Sequence, residues 1–480
     1  LECVTLEEVR SHQAAFQQIA DANDGTRASG TPGYDASADY VAGLLSEAGY
    51  TVERQEFEFS FFQELSPAEL EQLTPVAASY ETGAFVYSGA GDVTAAVTPV
   101  DINLEGDRAS TSGCEPEDFD GFPEGTIALI QRGTCPFADK SVNAEEAGAA
   151  AVIIFNQGNA GNEGLIIGTL AAPVVTIPVV GASFDDGVAL AQDGSTARVF
   201  ADTIAETRVT ENVFAETPKG RDDNVVMAGA HLDSVTAGPG INDNGSGSAA
   251  ILEIALKMRK VNPVNQVRFA WWGAEELGLV GSNHYVANLS EEERDDIALY
   301  LNFDMVGSPN FVRFVYDGNQ STFEAPVPVP EGSAEIEDLF ERWFTSQALP
   351  YDDTEFSGRS DYQAFILNDI PAGGLFTGAE GIKTEEQTAI WGGTVGDQYD
   401  PCYHLACDTF DNNSDEALET NSGAIAFVTL TYAYSTESVN GEAGKPVPGK
   451  PFPLPEPAGP EGTAGGGGGG ADPHDHHGER

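Results

Sequence analysis

Histidine is scarce in this chain, 7 among 480 residues, and one of them, His231, closes the apolar run Val225-Val226-Met227-Ala228-Gly229-Ala230. Twelve residues on, Asp243 stands in the turn Gly-Ile-Asn-Asp-Asn-Gly-Ser-Gly over 240–247. An imidazole at the mouth of a buried strand and a carboxylate in a polar turn are metal ligands, unless the first is a structural histidine and the second an Asx turn capping the next helix. Three more segments repeat the form. "FAWWGAEELGLVGS" (269–282) drives an apolar strand into Glu275-Glu276, "YLNFDMVG" (300–307) ends one on Asp304, and "DPCYHLACD" (400–408) holds His404 inside a cysteine bracket. His231, Asp243, Glu276, Asp304 and His404 make two imidazoles and three carboxylates, the donor mix for a pair of zinc ions. Five ligands for two ions require a shared one. Asp243, short and central, is the natural bridge, holding the ions about 3.5–4 Å apart. His231 with Asp304 completes one ion, and Glu276 with His404 the other. Neighbouring side chains point different ways, so one carboxylate of the Glu275-Glu276 pair can bind a metal while the other stays unligated as a general base. Asp233 is positioned to accept the other ring N–H of His231 and fix its tautomer.

These residues need strand ends to carry them. From Glu206 onward short apolar strands (224–229, 266–272, 298–303) alternate with helices (245–259, 279–288), which predicts an α/β fold: a mostly parallel central sheet flanked by helices. Such sheets bind ligands beyond the carboxyl ends of their strands, where His231 stands. Leu6, Val9, Phe16 and Ile19 recur at helical spacing, a second helix stops at Gly49, and a strand runs over 51–59. Residues 76–205 differ in character, rich in Val, Ala, Gly and Pro. They read as an inserted, smaller, β-rich α/β module without a catalytic set, a lid or a substrate-access wall. The expected division is 1–75 with 206–438 as the chemical domain, 76–205 as the insertion, and 439–480 as a flexible extension. That last stretch is Pro-rich, then has six consecutive glycines, then His474, His476 and His477.

A net charge of −55 disfavours nucleic acid and anionic bilayers as partners, since both would be repelled. No apolar run approaches the roughly eighteen residues of a membrane span. The sequence opens on Leu1 without a basic-then-apolar leader, so the expectation is that any signal peptide has been removed or left out. Of 5 cysteines, Cys114 with Cys135 and Cys402 with Cys407 lie close in sequence, which suits two local disulfides in an oxidising, extracellular setting. The rival is a shared zinc site, against which the absence of CxxC spacing counts. Cys3 is left over, and a free thiol is preferred to a lipid anchor because Glu2 is a poor neighbour for one.

The order His-Leu-Asp, Asn-Asp-Asn-Gly-Ser-Gly, Gly-Ala-Glu-Glu-Leu-Gly-Leu-Val-Gly-Ser, Asn-Phe-Asp-Met and Cys-Tyr-His-x-x-Cys resembles the dizinc aminopeptidases of the M28 peptidase family, most of all the secreted bacterial leucine aminopeptidases. The likeness covers residues 1–75 and 206–436. In the insertion, Gly133-Thr134-Cys135-Pro136-Phe137 and Ala144-Glu145-Glu146-Ala147-Gly148-Ala149 resemble the protease-associated domain. The resemblance implies two Zn2+ per chain, with a structural Ca2+ as a further expectation. It implies peptides with a free N-terminus as substrates, and a monomer. It gives Glu275 the proton of a water bridging the metals, and Tyr403 a part in stabilising the oxyanion. Asp304 and Glu275 would hold the free amino group, and Arg359, in Gly358-Arg359-Ser360-Asp361, would lie near the substrate. Met305 and Phe376 would line the pocket for a large apolar residue such as Leu, Phe or Met; either could equally be core. The same likeness implies a cis peptide at Asp243-Asn244 and a disulfide Cys402–Cys407 holding Tyr403 and His404 in a tight loop. It leaves His284 without a ligand role. Two other readings compete. A glutamate-removing carboxypeptidase would want a cluster of arginines, and the arginines here are spread thinly; a receptor of this fold would have lost ligands, and none is lost.

Overall fold

The computed structural model describes residues 4–450 and 452–463; Cys3 and the histidines His474, His476 and His477 lie outside the described residues. The chain divides into two compact units. Of the described residues, one takes in 4–57 and those from Val209 to 463, and the other is Glu58–Arg208.

In the larger unit α1 (Leu6–Ala22) and α2 (Pro32–Ala48) precede β1 (Val52–Thr74), which carries the chain into the smaller unit. There follow β2 (Ala78–Tyr80), β3 (Gly91–Val100), β4 (Ile127–Gln131), α3 (Phe137–Glu146), β5 (Ala151–Phe155), β6 (Val179–Ala182) and α4 (Phe184–Leu190), and β7 (Thr196–Glu216) leads back. The larger unit continues with β8 (Arg221–His231), α5 (Gly245–Met258), β9 (Asn265–Trp272), α6 (Val280–Ala287), α7 (Glu291–Asp295), β10 (Ile297–Phe303) and β11 (Phe314–Tyr316). It ends with α8 (Ser333–Ser346), β12 (Asp352–Thr354), α9 (Tyr362–Ile366), β13 (Ala372–Phe376), α10 (Glu385–Trp391), α11 (Asp415–Tyr434) and α12 (Glu437–Asn440).

The strand order of the larger unit is β12-β11-β13-β10-β8-β9-β7. Pairing is parallel for β8 with β9 and β10, β10 with β13, and β11 with β12, and antiparallel for β11 with β13 and β7 with β9. The mostly parallel sheet read from the sequence is the observed one. Its central strands read as unbroken apolar runs because both faces are covered. Val226, Ala228 and Ala230 of β8 pack with Phe269, Trp271, Leu299 and Leu301 on one face, while Val225 and Met227 pack with Trp272, Tyr300 and Phe365 on the other. The Val, Leu, Met and Phe side chains among them contribute about 1.5–3 kcal/mol each when fully buried. Helix α5 is buried at every residue from Gly245 to Ala255, which accounts for its small first turn and apolar body. At Gly247 an added Cβ would lie 2.1 Å from the carbonyl oxygen of Phe303, so only glycine lets the helix start this close to the end of β10.

In the smaller unit β3, β4, β5 and β6 run parallel, with β7 antiparallel to β3. β4 and β5 are buried throughout. Both expected disulfides are present, Cys114–Cys135 with a Cα separation of 5.8 Å and Cys402–Cys407 with 5.3 Å. The expected flexible extension behaves otherwise over 452–463. Phe452 packs on Phe427 with ring centres 5.1 Å apart, Gly459 N–H donates to the Tyr351 hydroxyl at 2.8 Å, and Thr463 N–H donates to Asp352 at 2.9 Å. The fully buried Asp352 carboxylate, with Tyr351, supplies partners that this irregular backbone could otherwise find only in water.

Candidate active site

Strand register aligns the chemistry. Across β8 and β9 His231 stands opposite Trp272, and across β8 and β10 Gly229 stands opposite Asn302. The residues that follow β9 (Glu275, Glu276) and β10 (Asp304) therefore emerge at the same carboxyl edge as His231. Asp243 comes from the turn between β8 and α5. Its neighbour Asn244 caps α5 by accepting Gly247 N–H at 2.9 Å and donates to the Phe303 carbonyl at 2.8 Å, and the Asp243-Asn244 peptide is cis. The cysteine bracket is tied to the same turn. Asp408 accepts the backbone N–H of Asn242 at 2.8 Å and of Asp243 at 2.9 Å; Asp400 accepts Asn242 Nδ2 at 2.6 Å and Cys402 N–H at 2.8 Å. This fixes His404, whose φ of +57° is a conformation that non-glycine residues hold only when the surroundings insist.

The six groups converge. His231 Nε2 lies 3.2 Å from Asp243 Oδ1, 3.2 Å from Asp304 Oδ1 and 3.8 Å from Glu275 Oε2. His404 Nε2 lies 3.0 Å from Glu276 Oε2 and 3.4 Å from Asp243 Oδ2. Asp243 thus turns one oxygen to each imidazole. Burial works against a charge on His231, but Asp304, Glu275, Asp233 and Asp243 overcome it and hold the ring protonated well above the usual histidine range. For His404 burial is likewise outweighed by Glu276 and Asp243, and its pKa is raised to about 11. Burial, then Asp243, pushes Glu276 up to about 7, and burial with Asp304, Asp361 and Glu276 lifts Glu275 well above the carboxylate range. Asp243 is lowered: burial opposes ionisation, and hydrogen bonds from both imidazoles favour it. Protons on two imidazoles here balance a carboxylate cluster, a task that bound cations would take over.

Supporting residues that the sequence reading did not single out surround the cluster. Arg27, completely buried, donates to the carbonyls of Leu232, Pro239 at 2.8 Å and Gly240 at 2.6 Å, pinning the loop after His231. A relay of hydrogen bonds runs from Trp272 Nε1 to Tyr300 Oη (2.8 Å), to Asn302 Oδ1 (3.0 Å), from Asn302 Nδ2 to Ser360 Oγ (2.9 Å) and on to Asp304 Oδ2 (2.6 Å). It ends by fixing the direction of Asp304. Arg27 carries no local signal, since a polar residue in a loop looks the same whether it faces water or a buried carbonyl; Asp400 opens a quoted motif and Ser360 stands in another, but neither spacing shows the hydrogen bonds they make. Asp408 closes a quoted motif, and its hydrogen bonds to the Asn242 and Asp243 amides give it a part there.

Other expected residues fall as follows. His231 Nδ1 meets the backbone carbonyl of Asp233 at 3.1 Å and its carboxylate at 3.5 Å; that carboxylate instead accepts Glu275 N–H at 3.2 Å, joining the two loops. Tyr403 stacks on His404 with ring centres 3.8 Å apart, and Arg359 bridges Tyr403 Oη (3.2 Å) and Glu380 (2.5 Å). Met305 is buried, and its carbonyl accepts Thr377 N–H at 2.9 Å, so Met305 and Phe376 sit on neighbouring strand ends, with Phe376 also facing Phe314. His284 stacks on Phe57 with ring centres 5.1 Å apart. A cleft of about 880 Å³ beside Arg294, Ile297, Asp369 and Asn440 lies at the amino end of β10 and contains none of these residues.

The family model of peptidase family M28 matches residues 212–429, and that of the PA domain matches residues 93–190. An aminopeptidase of Pseudomonas aeruginosa is 51% identical over 449 residues, covering 92% of this chain and 83% of that protein. The chain belongs to peptidase family M28. A probable lipoprotein aminopeptidase, LpqL, of Mycobacterium tuberculosis is 44% identical over 91% of this chain and 87% of its own length. Among solved structures, the aminopeptidase from Aneurinibacillus sp. strain AM-1 aligns over 95% of this chain and 98% of its own, with a TM-score of 0.63 and 28% identity. A zinc aminopeptidase from Bacillus subtilis aligns over 89% and 95%, with a TM-score of 0.57 and 25% identity. This M28 protein is a metallo-aminopeptidase with an inserted PA domain. Its site suits the zinc of the family. The donors are imidazole nitrogens and carboxylate oxygens, and the buried Glu276 Oε1 has no hydrogen-bond partner.

Proposed function

We propose that this aminopeptidase acts outside the cell on peptides with a free N-terminus, removing large apolar residues, leucine foremost. In this reading two zinc ions are held by His231, Asp243, Glu276, Asp304 and His404, with Asp243 shared. The observation that carries it is the Asp243 carboxylate, whose two oxygens face different imidazoles, each imidazole having its own second carboxylate. A structural calcium ion, the further expectation from the resemblance, takes no part in this chemistry.

When bound, the zinc pair supplies Lewis acidity that polarises the scissile carbonyl. Glu275, unligated beside Glu276, takes the proton of the attacking water and returns it to the departing amine. Burial and neighbouring carboxylates raise its basicity for that exchange. Tyr403, oriented by Arg359, donates to the developing oxyanion. Asp304 and Glu275 hold the substrate's ammonium group, so acylating that amine removes a charge the site is built to meet. Met305 and Phe376 offer apolar surface to the first side chain, which agrees with the name leucine aminopeptidase 2 borne by a Trichophyton rubrum relative 45% identical over 347 residues. Two disulfides support an oxidising, extracellular setting. No helix among the described residues is long and apolar enough to cross a membrane. All the assigned groups come from one chain, in keeping with a monomer.

The test is release of p-nitroaniline from leucyl-p-nitroanilide and from its N-acetylated form, with and without a chelator followed by added zinc. Cleavage of the free-amine substrate alone, abolished by chelation and restored by zinc, is expected. No cleavage by the zinc-replete protein refutes the leucine assignment.

A further inference from the structure

Three buried carboxylates meet in a second place in the larger unit, apart from the proposed zinc ligands. Asp317 follows β11, Glu337 lies in α8 and Asp353 is the middle residue of β12, paired in parallel register with Val315. Each offers an oxygen within 4.8 Å of the others, and the residues are only 2%, 1% and 0% exposed. Asp317 accepts the N–H groups of Ser321 (2.9 Å), Thr322 (2.8 Å) and Phe323 (2.7 Å), and Glu337 Oε2 accepts Asn319 N–H at 2.8 Å. Asp353 Oδ2 accepts the hydroxyl of Thr322, whereas Asp353 Oδ1, fully buried, has no hydrogen-bond partner.

The groups acting on Glu337 and Asp353 are a backbone amide, a hydroxyl and further carboxylates. Among the described residues no ion pair joins Asp317, Glu337 or Asp353 to a Lys, Arg or His. Burial, followed by repulsion from neighbouring carboxylates, lifts Glu337 to about 8 and Asp353 to about 6. Three carboxylates withdrawn from water without a counter-charge are costly unless a cation joins them. The spacing fits one: oxygens at about 2.3–2.6 Å from a single ion lie at most about 5 Å apart. The chemistry selects its class, since an all-oxygen set without imidazole or thiolate suits a hard cation rather than zinc.

We propose that Asp317, Glu337 and Asp353 form a structural site for one calcium ion, which ties the 317–323 loop, α8 and β12 together. The ion satisfies Asp353 Oδ1 and cancels the repulsion among the three carboxylates. It stands outside the proposed zinc ligands, so it sets stability rather than turnover.

The test uses the full chain loaded with zinc, in buffer of physiological ionic strength so that the acidic surface does not bind calcium diffusely. Calcium binding is measured by equilibrium dialysis, and thermal unfolding is recorded in EGTA and in excess calcium. The wild type is expected to bind one calcium more per chain than Asp353→Asn or Glu337→Gln. At about 100 times Kd its Tm is expected to rise by about 5 °C. Relief of repulsion should leave Asp353→Asn at least as stable as the wild type in EGTA, yet unresponsive to calcium, a crossing that a merely misfolded variant cannot produce. If Asp353→Asn fails to fold, Glu337→Gln decides alone. A wild type whose Tm ignores calcium, or variants that bind as many calcium ions as the wild type, would overturn the site.

Discussion

Ser360→Ala probes whether the relay behind Asp304 positions a metal ligand. The Ser360 hydroxyl, in a residue 4% exposed, donates to Asp304 Oδ2 at 2.6 Å while accepting from Asn302 Nδ2 at 2.9 Å. Removing it takes a charge-assisted hydrogen bond from the carboxylate, worth about 1.5–3 kcal/mol. At about 1.4 kcal/mol per decade that is roughly 10- to 150-fold in an equilibrium constant. The Asp304 side chain is 13% exposed, so water recovers part of the loss, and about 10- to 100-fold weaker binding of one zinc equivalent is expected. The other equivalent should be unchanged, because Glu276 and His404 take no part in the relay. Zinc affinity is read by competition with a chelating indicator, and kcat/KM is followed at limiting and at saturating zinc. Activity should recover substantially at saturation, since the ligand itself remains. Two zinc affinities both within about threefold of the wild type would refute the reasoning, as would equal weakening of both.

Three other outcomes follow from the same geometry. Glu275→Gln should keep its zinc and lose about 10²–10⁴-fold in kcat; zinc retention with near wild-type turnover would remove Glu275 as the base. Zinc binding to the chelator-stripped protein at pH 7 should release more than two protons, because His231 and His404 are both held protonated without metal and must be neutral to ligate, and Glu276, raised to about 7, is about half protonated there. Calorimetry in buffers of different ionisation enthalpy counts them, and zero protons released would contradict the assignment. The sign for the unbound protein is the opposite. His404 is raised from 6.5 to about 11, so its contribution to stability is fully present below pH 6.5 and is lost as pH rises through 11. Arg27→Lys should cost about 3–5 kcal/mol in urea unfolding, since an ammonium cannot reach carbonyls of Leu232, Pro239 and Gly240 together. All 4 tryptophans lie in the larger unit, so their fluorescence reports it; a loss under about 1 kcal/mol would show the loop held by other means.

The sequence by itself determined the parts of this protein whose physics is local. Strands buried on both faces must be apolar throughout, so β8, β9 and β10 were visible as runs, and the residues that break each run, His231, the Glu275-Glu276 pair and Asp304, were visible as its end. The Asn-Asp-Asn-Gly-Ser-Gly turn announced its helix by the same logic. Two cysteine pairs close in sequence announced their disulfides.

Only tertiary structure decided which residues hold those groups. Parallel register, not spacing along the chain, brings His231 beside Asp304, and the hydrogen bonds of Asp400 and Asp408 bring His404 to the same turn. The partner of His231 Nδ1 at 3.1 Å is the Asp233 carbonyl, a choice made by backbone direction that no side-chain motif encodes. Arg27, Ser360 and the Asp317, Glu337 and Asp353 cluster show why the rest was illegible: each is an ordinary polar residue until distant segments close over it. Its burial, and the chemistry that burial demands, belongs to the packing.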